Sequence, residues 1–364
     1  MKVAIRVDAS INMGTGHVMR CLTLADTLTG VGADVTFICR EHYGHLAEII
    51  KIRGYPVLLL GKPESKMLRE DGDPVHSHWL GVSWQHDAEE TVQKLASQKI
   101  DWLVVDHYGL DARWHKKLRQ EVGQIMVIDD LADRSLDCDL LVDQNFYLDS
   151  ETRYQKLVNA DCRCLLGPDY AMLRPEFIQG INQQQFRIRA ELKRIFVFMG
   201  GADATNETAK AIRAIDMVNE CSFKVDIVVG SVNPYTDEIR QLCSERDYMM
   251  FHQDVRNIAE LMNHADLAIG AGGATTLERC YLQLPSIVIV LAENQKQSIA
   301  DLEKIGAVES AGWYENVQAD NLAKRIANYC QYPEKLEMMS HCAAKVMNQQ
   351  RYRGVHGIVN MMCL

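Results

Sequence analysis

His17 stands in the run Asn12-Met13-Gly14-Thr15-Gly16-His17, which follows an apolar stretch and precedes a helical pattern. Glycines at such a turn let backbone approach a ligand, and the first turn of the next helix offers unpaired N–H groups and the positive end of its dipole. Phosphate is the natural occupant. A second run of the same kind, Gly270-Ala271-Gly272-Gly273-Ala274-Thr275-Thr276, recurs in the other half, with Glu278 about one turn into the following helix. Two anion cradles, one holding a titratable imidazole, point to chemistry on a diphosphate-linked substrate gripped between two halves of the chain. Gly14 and Gly16 are the candidate contacts of the first cradle. In the second, Gly272, Gly273, Ala274 and Thr275 offer backbone N–H groups, with a hydroxyl from Thr275 or Thr276. The helix start disfavours imidazolium at His17, which suits the ring to act as a general base. Neither loop has the full dinucleotide fingerprint, since the first lacks a third glycine and the second lacks a well-placed acid about 20 residues on.

The elements that must position these loops read as alternating strands and helices. Short apolar runs at residues 2–7, 34–39, 56–60, 102–106, 125–128 and 139–142 are separated by helical patterns at 19–28, 88–95 and 112–121. A second series of runs at 195–199, 225–229, 248–251, 267–269 and 286–290 alternates with helical patterns from 207 to 304. Runs that look buried on both faces require parallel sheets, whose ligands gather at the carboxyl ends of the strands. The expected class is therefore α/β, with two Rossmann-like domains facing a central cleft. The expected boundaries are 1–178 for a domain carrying the base, 179–193 for a polar linker, 194–332 for a nucleotide-binding domain, and 333–364 for a helical tail packing back on the first domain. The formal charge of −10 over 364 residues argues against nucleic acid and anionic membranes as partners. No apolar run approaches the roughly 20 residues of a membrane span, and Arg6 and Asp8 interrupt any signal-peptide core. Eleven scattered cysteines without a Cys-x-x-Cys read as reduced thiols, and the cytoplasm is the expected compartment. His76-Ser77-His78 and His42-x-x-His45 have metal-like composition without a third ligand nearby, so no metal and no cofactor are expected.

The run from Arg6 to Leu22 resembles the opening of the UDP-sugar hydrolases of pseudaminic acid biosynthesis. So do Asp106-His107-Tyr108-Gly109, the stretch from Tyr170 to Phe177, Phe198-Met199-Gly200-Gly201-Ala202-Asp203, the loop from Gly270 to Glu278, and Glu293-Asn294-Gln295. The second half is also similar to the lipid II-forming glycosyltransferase. This resemblance implies a GT-B fold and hydrolysis of UDP-2,4-diacetamido-2,4,6-trideoxy-β-L-altropyranose to UDP and the free sugar. It implies His17 as the base activating water for inverting attack, Glu278 on the ribose hydroxyls, and Gly200, Gly201, Asn294 and Gln295 as substrate contacts. Helix capping is the alternative for Glu278, Asn294 and Gln295. Asp8 or Asp106, at strand ends, orients His17, binds sugar hydroxyls, or simply caps a loop. Tyr108 offers an apolar platform to a deoxy sugar, and Arg174, before a proline, reaches the sugar-diphosphate or holds the junction between domains. Gly201-Ala202-Asp203 stands where the family often has Gly-Gly-Thr/Ser-Asp, and the tail after Gly312 is longer than in short members. The other functional expectations are a glycosyltransferase of the same fold and a nucleotide-sugar binding protein without catalysis. Oligomeric state is not legible, and a monomer is compatible with the sequence.

Overall fold

The computed structural model describes every residue except 12, 64–68, 97, 182–188, 220–221, 256 and 349. The chain forms two compact units. The first comprises Met1–Asn145, Asp149–Met172 and Arg353–Leu364; the second comprises Phe146–Leu148 and Leu173–Tyr352.

In the first unit, β1 (Lys2–Val7), β2 (Asp34–Arg40), β3 (Val57–Leu60), β4 (Ile100–Asp106), β5 (Val122–Ile128), β6 (Leu140–Asp143) and β7 (Arg163–Leu166) make one parallel sheet, ordered β3-β2-β1-β4-β5-β6-β7. Strand side chains alternate between faces, and here both faces are apolar. Val3, Ile5, Phe37 and Val104 pack with Val18, Leu22, Ala25 and Leu28 of helix Gly16–Gly30, whereas Ala4, Ile38, Leu103 and Val105 pack with Leu95, Trp114 and Leu118 on the opposite side. Each face thus demands its own helical layer, which right-handed crossovers supply.

The second unit repeats the plan with β8 (Arg194–Phe198), β9 (Lys224–Val229), β10 (Met249–Gln253), β11 (Leu267–Ala271), β12 (Ser286–Val290) and β13 (Glu309–Trp313), ordered β10-β9-β8-β11-β12-β13 and parallel throughout. The sequence reading missed β7 and β13. Both are edge strands, and β7 begins exposed while β13 is half-buried along its length, so neither needed an apolar run.

The expected tail divides. Leu336 and Met339 of helix Glu334–Val346 join the core of the second unit, whereas Val355, Ile358, Val359 and Met362 of helix Gly354–Met362 join the core of the first. The Trp102 indole N–H donates to the Met362 carbonyl at 3.0 Å. Residues 182–188 of the expected linker lie outside the described residues. Cys330 is disulfide-bonded, against the expectation of thiols throughout, because spacing along a chain does not reveal which sulfurs meet in space. Among the described residues no helix is long and apolar enough to cross a membrane.

Candidate active site

Each sheet reverses its order of growth once, between β1 and β4 in the first unit and between β8 and β11 in the second. Loops leaving the carboxyl ends of two such strands diverge to opposite faces and leave a crevice for ligand. Many of the expected site residues lie in loops at these two places, whereas Arg174 precedes helix Pro175–Ile181 and Asn294 and Gln295 follow β12.

In the first unit the chain leaves β1, turns through Gly14 and enters helix Gly16–Gly30. Gly14 adopts φ +75°, a region that favours glycine, and its N–H donates to the Ser10 carbonyl at 2.9 Å. His17 is the second residue of the helix, and its Nδ1 lies 2.6 Å from Oδ1 of Asp106, the last residue of β4. Arg20, one turn further along the helix, donates from Nε and Nη2 to the two Asp106 oxygens, both at 2.6 Å. Burial alone would push the Asp106 carboxyl up, but the Arg20 guanidinium and His17 reverse this and hold it well below the usual carboxylate range. An ionised carboxylate only accepts, so the proton of neutral His17 sits on Nδ1 and the Nε2 lone pair is free. Nε2 has no hydrogen-bond partner among the described residues.

Tyr108 follows in the same strand-end loop. Its ring meets His17 edge-on with centroids 4.6 Å apart, and its hydroxyl donates to Asp130. The half-exposed Trp79 covers this pair, with its centroid 5.4 Å from Tyr108 and 6.2 Å from His17, and His76 stands edge-on to Trp79 at 4.9 Å. Sequence reasoning missed Trp79. His76-Ser77-His78 has metal-like composition in the sequence, but among the described residues no group of three His, Cys, Asp or Glu side chains is arranged to hold a metal. The available signal was the aromatic residue beside those histidines.

Asp8 does not orient His17. Its carboxylate is buried, takes Arg6 Nη2 at 2.8 Å and the Arg40 backbone N–H at 2.7 Å, and lies 3.3 Å from His107 Nε2. Arg6 and Arg40 also meet Asp87, at 2.7 and 2.8 Å, and Arg40 meets Glu90 at 2.7 Å, so two guanidiniums and three carboxylates form a network beneath the site. A strand-end aspartate can face either the crevice or this interior, and the arginine two residues before it draws it inward.

In the second unit, Gly270 at the end of β11 pairs in register with Phe198 at the end of β8, so the loops that follow stand side by side. Gly200 adopts φ +92°, and Gly201 lies so close to Gly230 that a Cβ there would come 2.5 Å from the Gly201 carbonyl oxygen. Asp203 accepts the backbone N–H groups of Glu207 and Thr208 at 2.9 and 3.0 Å, which anchors the first loop to its helix. In the other loop, Gln295 packs over Gly272, where a Cβ would sit 3.0 Å from Gln295 Oε1, and that oxygen accepts the Leu291 N–H at 2.9 Å. Asn294 stands beside it in the first turn of helix Glu293–Lys304 and is half-buried. Ala274 is exposed and Thr275 half-exposed, so both reach solvent. Glu278, nearly buried, receives a fork from Arg174, with Nε to Oε1 at 2.9 Å and Nη2 to Oε2 at 3.1 Å. Arg174 therefore holds Glu278 within the second unit.

Residues 194–353 match the glycosyltransferase family 28 C-terminal domain. The chain is similar in structure to MurG of Acinetobacter baumannii, with TM-score 0.65 at 12% identity over 100% of this chain and 99% of that one. It is similar also to UGT89C1 of Arabidopsis thaliana complexed with UDP, with TM-score 0.66 at 14% identity over the whole of both chains. The fold is GT-B. In sequence, the chain is 26% identical over 84% of its length to uncharacterized protein MJ1062 of Methanocaldococcus jannaschii, of which it spans 59%. It is 26% identical over 84% of its length, and over 97% of the relative, to the UDP-2,4-diacetamido-2,4,6-trideoxy-beta-L-altropyranose hydrolase of Campylobacter jejuni. It is 25% identical over 93% of its length, and 92% of the relative, to the spore coat polysaccharide biosynthesis protein SpsG of Bacillus subtilis. The resemblance to the UDP-sugar hydrolases read from the motifs thus extends over most of the GT-B chain.

Proposed function

We propose that the protein hydrolyses UDP-2,4-diacetamido-2,4,6-trideoxy-β-L-altropyranose to UDP and free 2,4-diacetamido-2,4,6-trideoxy-L-altrose, a step of pseudaminic acid biosynthesis. The observation that carries this reading is His17, with Nδ1 held by ionised Asp106 and Nε2 open. The similarity to the Campylobacter jejuni hydrolase supports the substrate. His17 Nε2 takes a proton from water, the water oxygen bonds to the anomeric carbon, and the bond from that carbon to the diphosphate oxygen breaks with its electron pair leaving on UDP. One displacement from the face opposite UDP inverts the anomeric centre. Asp106 supports the imidazolium that forms, as an orienting carboxylate does in other histidine-based sites.

The second unit takes the nucleotide in this reading. Gly272, Gly273 and Thr275 receive the diphosphate, and Glu278 receives the ribose hydroxyls through the lone pairs that Arg174 leaves open, since a carboxylate has about four acceptor positions. The match to a glycosyltransferase domain favours one competing reading, transfer of the sugar to an acceptor other than water. Incubating the purified protein with the UDP-sugar and no acceptor separates them. Hydrolysis yields UDP and free sugar in equal amounts, whereas a strict transferase leaves the substrate intact.

A further inference from the structure

Arg279, the residue after Glu278, is 1% exposed and its guanidinium lies beneath the loop from Gly270 to Thr276. Among the described residues its donors go only to neutral oxygens: Nη2 reaches the Ala271 carbonyl at 2.8 Å and Thr276 Oγ1 at 3.0 Å, Nη1 reaches Thr275 Oγ1 at 3.2 Å, and Nε has no partner. The nearest carboxylate along the chain, Glu278, is engaged by Arg174. Elsewhere the buried guanidiniums of Arg6, Arg20, Arg40 and Arg134 each meet an aspartate. The Coulombic field of Glu278 partly offsets the burial of Arg279, with no carboxylate in hydrogen-bond contact among the described residues; a buried charge so weakly paired is unfavourable, yet the chain makes room for this one. A Cβ on Gly270 would come 2.5 Å from Arg279 Nη1 and 2.8 Å from the Phe198 carbonyl oxygen, so glycine is required there by the guanidinium as well as by the neighbouring strand.

We propose that Arg279 is the built-in counter-charge for a diphosphate bound on this loop, acting through the Thr275 hydroxyl. The proposal rests on the nucleotide-binding reading given above. Burial lowers the Arg279 pKa to about 10, which leaves it cationic at neutral pH. Thr276 turns its own proton to the Ala271 carbonyl at 3.4 Å, whereas the half-exposed Thr275 accepts from Arg279 and keeps its proton for a ligand. An N–H from a cation polarises that hydroxyl and strengthens it as a donor. Arg279 is thus a positioning residue that does not itself touch the ligand.

The test is calorimetric binding of UDP, with uridine measured by displacement, to the full chain and to Arg279→Lys and Arg279→Met. Arg279→Met is expected to lose about tenfold or more in UDP affinity with uridine unchanged, and Arg279→Lys to stay within a few-fold of the parent. If Arg279→Met does not fold, Arg279→Gln, which keeps donors without charge, carries the same expectation. Equal losses for UDP and uridine would show a loop clamp only, and an unchanged UDP affinity would show no role; either overturns the proposal. A parent chain that binds no UDP contradicts the nucleotide reading itself, a result distinct from both.

Discussion

The two sheets place their loops by the same topological rule and fill them with opposite chemistry. At the β1/β4 crevice the functional groups are ionised side chains neutralised within the unit, Asp106 by Arg20 and Asp8 by Arg6, leaving the Nε2 of His17 as the open valence. At the β8/β11 crevice the groups are glycine backbone, hydroxyls, one carboxylate shared with Arg174, and a buried cation meeting only neutral oxygens. The first arrangement suits a proton transfer whose charge must be held steady. The second suits an incoming anion. In the proposed reading one switch point serves chemistry and the other recognition, so substitutions in the two units should separate kcat from nucleotide affinity.

The largest effect is expected at His17. Replacement by Asn removes the base, and general-base catalysis is typically worth about 10²–10⁴-fold, so kcat should fall by that factor while UDP affinity changes little. Asp106→Asn should follow in the same direction by about 10²-fold, because the amide no longer fixes the Nδ1–H tautomer. Steady-state kinetics with UDP inhibition checks both. A His17 variant with most of its turnover would place the chemistry elsewhere.

The reverse pattern is expected at Glu278. Losing hydrogen bonds to a charged acceptor costs about 1.5–3 kcal/mol, so Glu278→Ala should weaken UDP by roughly ten- to a hundredfold while kcat at saturation stays near the parent value. Comparison with 2′-deoxy-UDP sharpens the point. The parent should prefer UDP and the variant should not, and a preference retained by the variant would remove Glu278 from the ribose.

These expectations show how far the chemistry was legible. Glycine loops after apolar runs mark backbone positions directly, and so Gly14, Gly272 and, one turn on, Glu278 could be read as loop or helix-start residues, whereas Gly200 is marked only by the family resemblance. Which way a strand-end side chain turns depends on partners that strand periodicity does not show, and Asp8 is held inward by the Arg6 guanidinium and the Arg40 backbone N–H. Trp79 lay hidden for another reason. It sits in the short turn Ser77–Leu80, where no periodicity shows that its ring covers Tyr108. Likewise nothing in the sequence marks Arg279, which is buried with its guanidinium against Gly270.

A smaller effect is expected at Trp79. If its ring carries the apolar face of the sugar, Trp79→Ala should raise KM for the UDP-sugar by roughly two- to tenfold with UDP inhibition unchanged, as an aromatic contact of about 0.5–1.5 kcal/mol requires. Parallel losses for UDP and UDP-sugar would exclude a sugar-side role.

The smallest effect on activity, and a clear one on stability, is expected at Asp143. Burial, with Asp130 nearby, pushes its carboxyl up to about 8, so the folded chain keeps a proton that the unfolded chain releases above about pH 4. This contribution therefore weakens stability as pH rises from about 4 to about 8 and levels off beyond. Asp143→Asn should flatten that slope and be the more stable chain at pH 8.5 by about 1–3 kcal/mol in urea unfolding. An unchanged slope would show Asp143 ionised at neutral pH.

The central claim, water attack at the anomeric carbon assisted by His17, is tested most directly by turnover of the UDP-sugar in oxygen-18 water with no acceptor present. The account predicts one labelled oxygen in each released sugar and none in UDP, with label incorporation slowed in His17→Asn in proportion to its kcat. Label in the phosphate would mean attack at phosphorus, and absence of turnover without an acceptor would mean transfer; either result contradicts the account.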